Sequence, residues 1–91
     1  MEYSIVIPAY NESDKITSTL TQILNFMRNF SNEFEVIVVD DGSVDSTVQT
    51  VSDYKRENQE VLLVKNPHMG KGPAVSTGIK KAKGKYIYIA D

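Results

Sequence analysis

Hydrophobic residues along this chain alternate between strand-like runs and helix-like stripes. Tyr3 to Ile7 (YSIVI) is short, apolar and β-branched, and Pro8 closes it, the pattern of a buried strand. Asn11 or Ser13 can then cap a helix with Asp14 in its first turn. Ile16, Leu20, Ile23, Leu24 and Met27 follow at helical spacing and make one apolar stripe. Phe34 to Val39 (FEVIVV) reads as a second buried strand, ending in Asp40-Asp41-Gly42-Ser43. Ser43 or Asp45 can cap the next helix, whose inner face carries Val48, Val51 and Tyr54. Val61 to Val64 is a third strand, and Pro67 and Gly70 mark Asn66 to Gly70 as a loop. Ala74, Val75, Gly78, Ile79 and Ala82 predict a third helix, with Gly84 where a C-terminal cap belongs. Tyr86 to Ala90 is the fourth strand.

The order β-α-β-α-β-α-β, with continuous apolar strands, predicts a parallel sheet covered by helices on both faces. Its crossovers should be right-handed. Ligands of such sheets bind beyond the carboxyl ends of the strands. Polar and special-backbone residues gather there: Pro8-Ala9-Tyr10-Asn11-Glu12, then Asp40, Asp41, Gly42, Ser43 and Asp45, then Gly70-Lys71-Gly72, and lastly Asp91. The opposite edge of the sheet carries no such set.

Composition narrows the classes. The chain has 91 residues and no cysteine, which rules out disulfides and thiolate metal sites. A length of 91 residues allows one domain, residues 1–91. A net charge of −2 gives no general attraction to nucleic acid. No run approaches the ~18 apolar residues of a membrane span, and no signal-peptide pattern precedes Tyr3, so a soluble, cytoplasmic chain is expected. The Asn-x-Ser tripeptides at Asn11 and Asn29 read as chance. Because Lys85 to Asp91 is a strand with nothing after it, the sequence reads as a piece of a longer chain.

The strand-end residues suit a nucleoside diphosphate. An ionised carboxylate only accepts hydrogen bonds, so Asp41 can select a base with an imide N–H, as in uracil or guanine. Tyr10 can lie against the base or ribose, and the Pro8-Ala9 backbone can meet exocyclic groups. Lys71 can neutralise phosphate, with the amides of Gly70 and Gly72 at a helix start. Each feature also has a plainer reading. Asp40, Asp41 and Ser43 can simply build a turn and cap a helix, Gly70-Lys71-Gly72 a loop, and Tyr10 can be a packing residue. His68 reads as an exposed loop residue without a role. Lys80, Lys81, Lys83 and Lys85 suit a solvated helix end.

Four segments, IVIPAYNE (5–12), VIVVDDGSVDST (36–47), GKGPAVSTGI (70–79) and GKYIYIAD (84–91), resemble the family 2 inverting glycosyltransferases, above all the polyprenyl- or dolichyl-phosphate hexosyltransferases. The resemblance covers essentially the whole chain and implies a Rossmann-like three-layer α/β/α architecture, the N-terminal half of a glycosyltransferase A-type fold. It implies transfer of a hexose from a UDP- or GDP-linked sugar with inversion, to an acceptor such as a polyprenyl phosphate. It assigns nucleotide binding to Pro8, Ala9, Tyr10, Glu12, Asp40, Asp41, Gly70, Lys71 and Gly72. Asp91 matches the first aspartate of the family's Asp-X-Asp motif for Mg2+ or Mn2+. On this pattern the second metal aspartate, the catalytic base and the acceptor half lie beyond residue 91. No catalytic residue is then expected within the chain, and the fragment alone is expected to be inactive. Some family members carry membrane helices. Ser76 departs from the lipid-phosphate branch, where arginine is frequent. The competing class is a non-catalytic nucleotide-binding α/β module. A nucleotidyltransferase or a dehydrogenase would want its glycine-rich loop where Pro8-Ala9-Tyr10 stands. The uncovered sheet edge also offers a surface for a homodimer.

Overall fold

A computed structural model describes all 91 residues. The β-branched runs form strands β1 (Tyr3–Ala9), β2 (Phe34–Asp41), β3 (Val61–Asn66) and β4 (Tyr86–Ile89). Helices α1 (Ile16–Phe30), α2 (Thr47–Glu57) and α3 (Lys71–Lys81) alternate with them. The sheet order is β3-β2-β1-β4, and every pair is parallel. The first two crossovers step one way along the sheet and the third steps back over it. With one crossover hand, that reversal puts α3 on the face opposite α1 and α2.

Strand alternation decides what each face buries. Ile5, Ile7 and Ala9 of β1 and Phe34, Val36 and Val38 of β2 pack with Ile16, Leu20, Leu24 and Met27 of α1 and Val51 of α2. On the other face Val6, Ile37 and Val39 meet Ala74. That layer is thin because α3 lies close: a Cβ added at Gly78 would stand 2.3 Å from Val6 Cγ1.

At the amino end of the sheet, the buried Glu35 carboxylate accepts from Ser4 Oγ (2.6 Å) and from the Lys83 amide (2.7 Å). The Gly84 amide donates to Ser4 Oγ at 2.8 Å. This network fastens the α3–β4 connection to β1 and β2.

The structure corrects several sequence expectations. Neither Asn11 nor Ser13 caps α1, which starts after Lys15 without a side-chain cap and has no acidic residue in its first turn. Asn11 instead takes a left-handed φ of 52°, and its side chain reaches across to the loop after β2. Gly84 is not a helix cap either: α3 closes at Ala82, whose amide donates to the carbonyls of Gly78 and Ile79. Gly84 is small for another reason, since an added Cβ would lie 2.6 Å from the Ser4 amide nitrogen. Lastly, β4 is not buried. It forms a sheet edge with all four residues exposed, because α3 packs over β1 and β2 rather than over β4.

Candidate functional site

The three loops beyond the carboxyl ends of β1, β2 and β3 are tied into one platform. Asp40 Oδ2 accepts from the amides of Gly42 (3.1 Å) and Ser43 (2.9 Å), folding the chain back after β2. Gly42 sits at φ 76°, and a Cβ there would come within 2.6 Å of the His68 amide nitrogen. Only glycine meets both demands. The post-β1 and post-β2 loops then exchange hydrogen bonds: the Asn11 amide to Ser43 Oγ, the Glu12 amide to Thr47 Oγ1, the Ser13 amide to Asp45 Oδ2, and the Val44 amide to Asn11 Oδ1. The side chains of Asn11 and Ser43 are thus spent on joining loops, while Asp45 does this and also bonds the Thr47 amide at the start of α2.

Asp45 gathers the most donors in this seam. Its hydrogen bond from the Thr47 hydroxyl, with further ones from the Thr47 and Ser13 amides, outweighs partial burial and lowers its pKa to about 2. A carboxyl depressed in the folded state stabilises above its unfolded pKa, near ~3.9, and loses that contribution as pH falls through the folded value. Urea midpoints should therefore fall between pH ~4 and ~2. Asp45→Asn should flatten that slope; an unchanged slope would contradict the assignment.

Asp41 lies on the opposite face of β2 from Asp40, by strand alternation. Its Oδ1 accepts from the amides of Met69 (2.8 Å) and Gly70 (3.1 Å). Its Oδ2 accepts from Gly70 (3.1 Å) and meets His68 Nδ1 at 3.0 Å. The Met69 amide bond is the largest cause of a lowered pKa, against burial, with Gly70 and His68 adding to it. Asp41 therefore anchors the 68–70 segment through both carboxylate oxygens. Held this way, the His68 ring stacks on Tyr10, centroids 4.3 Å apart and planes 22° apart.

A crevice of ≈ 340 Å³ opens over this platform. Pro8, Ala9, Tyr10, Glu12, Asp41, Gly70, Lys71 and Asp91 line it, and all of them were singled out from the sequence. Asp40 and Gly72 do not: Asp40 is buried in its turn, and Gly72 is exposed in the first turn of α3. The ninth lining residue, His68, was missed. It could have been found by the same rule as the others, since it follows the carboxyl end of β3 and precedes Gly70. The crevice lies beyond the carboxyl ends of the paired strands β1 and β4, where the strand order reverses.

Lys71 Nζ is paired with Asp91 Oδ2 at the crevice mouth, with both side chains more than half exposed. No three acidic or histidine side chains converge as a cation cage. Asp91 offers one carboxylate, which suffices for Mg2+ or Mn2+ only when diphosphate oxygens complete the shell. In that limited sense the residues fit the ion.

The profile described as "Glycosyl transferase family 2" matches residues 4–91. The chain belongs to this family. It is 36% identical over 94 residues to a dolichyl-phosphate beta-glucosyltransferase of Trichomonas vaginalis, covering 97% of this chain and 28% of the relative. It is also 36% identical to the poly(ribitol-phosphate) beta-glucosyltransferase of Bacillus spizizenii, covering 100% of this chain and 14% of that protein. The chain thus spans less than a third of the curated relatives' length. Among solved structures, residues 1-349 of S. aureus TarS in complex with UDP superpose with a TM-score of 0.84 at 28% identity, over 100% of this chain and 27% of that one. The mannosyltransferase PcManGT of Pyrobaculum calidifontis, in complex with GDP-Man and Mn2+, gives a TM-score of 0.84 at 27% identity, over 94% of this chain and 26% of that one. The family 2 chain has the α/β architecture of glycosyltransferase A-type enzymes, with its parallel sheet and helices on both faces. No helix in it is long and apolar enough to cross a membrane.

Proposed function

We propose that the crevice binds the nucleoside-diphosphate part of a UDP- or GDP-linked sugar, within a protein that transfers the hexose with inversion to an acceptor such as a polyprenyl phosphate. The observation that carries this reading is the convergence of Tyr10, Asp41, Gly70, Lys71 and Asp91 on one crevice at the strand-order reversal. Tyr10 supplies an aromatic face for the base or ribose, and the Pro8-Ala9 backbone lies beside it. Lys71 stands at the start of α3, where its charge, the helix dipole and nearby amides all favour phosphate.

The Lys71–Asp91 pair acts as a latch of complementary charges. An exposed pair of this kind is worth little in water, so it exchanges readily for stronger partners. Diphosphate draws Lys71, which frees the Asp91 carboxylate at the crevice mouth. A Mg2+ or Mn2+ ion held by Asp91 and the diphosphate would offset charge on the leaving group. The acceptor oxygen attacks the anomeric carbon as the bond from that carbon to the diphosphate oxygen breaks, and a carboxylate base takes the proton where the acceptor oxygen carries one. We assign that base to residues outside 1–91, as the family resemblance implies; of the crevice carboxylates, Asp41 is committed to the 68–70 segment and Asp91 to the diphosphate end. With a lipid-phosphate acceptor, the whole protein works at a membrane surface.

Calorimetry with UDP and GDP tests the reading. Saturable binding is expected, weakened about tenfold in Lys71→Ala by the lost charge-assisted contact. A folded chain giving no saturable heat at millimolar nucleotide would contradict it.

A further inference from the structure

The β4 edge of the sheet is apolar and open. Tyr86, Ile87, Tyr88 and Ile89 are all exposed, and none carries a charge. The other edge strand, β3, differs: Val61 is buried, and Lys65 stands in the strand as a charge that discourages pairing. On the α1 face an apolar groove of ≈ 460 Å³ runs beside β4, where Ile5, Ile23, Phe26, Met27 and Phe30 meet Tyr88. Phe26 and Phe30 stack on each other and are more than half exposed. Apolar surface beside an unpaired strand marks an interface.

The edge is also complementary to itself. The amides of Tyr86 and Ala90 donate to the carbonyls of Glu2 and Val6 at 2.9 Å, so the backbone of these residues turns toward β1. Alternation then turns the amides and carbonyls of Ile87 and Ile89 to the open side. Two antiparallel β4 strands can exchange those bonds when Ile87 of each lies opposite Ile89 of the other. That register sets Tyr88 against Tyr88 on the twofold axis, at the non-hydrogen-bonded position where side chains approach closest. It also sets Lys85 opposite Asp91 at both ends, and both residues are exposed. Parallel pairing in register would bring like charges together instead.

We propose that β4 pairs antiparallel with β4 of a second copy of this chain, with Ile87 facing Ile89 and Lys85 facing Asp91, to give one continuous sheet across the two. Isologous pairing of this kind closes after two copies. Because Asp91 already meets Lys71 at the crevice mouth, each copy brings a further cation to the other's crevice. The pairing itself does not depend on what the crevice binds.

Analytical ultracentrifugation of the chain tests this, and a concentration-dependent dimer is expected. Ile87→Lys places a charge in both Ile87–Ile89 pairs. It should leave a monomer with unchanged circular dichroism, since Ile87 belongs to neither apolar cluster. Charge reversal reads the register without touching the apolar residues. Lys85→Asp and Asp91→Lys should each weaken self-association about tenfold, as two attractive pairs become repulsive. An equimolar mixture of the two variants should recover the wild-type affinity, because every reversed charge then faces its opposite. A chain that stays monomeric at millimolar concentration would overturn the proposal and leave β4 to a different segment or protein. A dimer that survives Ile87→Lys, or a mixture that associates no more tightly than its components, would overturn the β4 pairing or its register.

Discussion

Asp41→Ala should lower affinity for UDP or GDP on the order of a hundredfold, the scale expected when several charge-assisted hydrogen bonds go together. The carboxylate is the one group that both anchors the Met69 and Gly70 amides and orients the His68 ring. Without it the loop loses its anchor, the Tyr10–His68 stack loses its fixed plane, and Lys71 loses the segment that aims it. The fold itself should survive. Asp41 belongs to neither apolar cluster, and the β2 register with β1 and β3 rests on backbone pairing. Circular dichroism should therefore be unchanged while calorimetric affinity collapses. Asp41→Asn keeps an acceptor for the Met69 amide but turns an NH2 toward the Gly70 amide and His68 Nδ1, both of which also donate. It should lose nearly as much. Affinity within about twofold of wild type in Asp41→Ala would mean that the loop is held without it.

Gly84→Ala should destabilise the chain by about 3 kcal/mol, at the upper end of overpacking effects. The added methyl would lie 2.6 Å from the Ser4 amide nitrogen and Oγ, and 2.7 Å from the Tyr3 carbonyl carbon. Two of those three atoms are backbone in the middle of the sheet, where β1 pairs on both sides, so neither can retreat cheaply. Moving Gly84 away instead would break its amide bond to Ser4 and strain the neighbouring Lys83–Glu35 contact. Gly72 supplies the contrast. A Cβ there meets nothing within 4 Å and sits in the first turn of α3. Gly72→Ala should be neutral or stabilise by up to about 1 kcal/mol through helix propensity. Urea unfolding of the two variants reads both values, and equal effects would contradict the packing described at Gly84.

The sheet was legible in the sequence because β-branched runs and helical stripes left little choice of period, and the connection order then fixed a parallel arrangement. Residues with two competing uses were not legible. Asn11, Ser13 and Asp45 have the side chains of helix caps. Which amides they satisfy depends on the distance between the post-β1 and post-β2 loops, a tertiary quantity. Asp45 serves both ends, bonding the Ser13 amide and the start of α2. Asp40 and Asp41 are adjacent and alike in sequence, yet strand alternation sends one into its own turn and the other toward the crevice. His68 gained its position from Asp41 and Tyr10, contacts made across long sequence separations. Gly84 was read for its backbone freedom, whereas the fold uses its lack of a side chain.

A titration of UDP into 15N-labelled chain, followed by amide shifts, tests the nucleotide crevice most directly. The largest saturable shifts should fall at Tyr10, Met69, Gly70 and Lys71. A second, apolar groove, lined by Ile23, Phe26, Met27 and Phe30 of α1 with Ile5 and Tyr88 of the sheet, should remain silent. Shifts centred on that groove, or none anywhere in a folded sample at millimolar UDP, would contradict the assignment of the strand-end crevice as the nucleotide site.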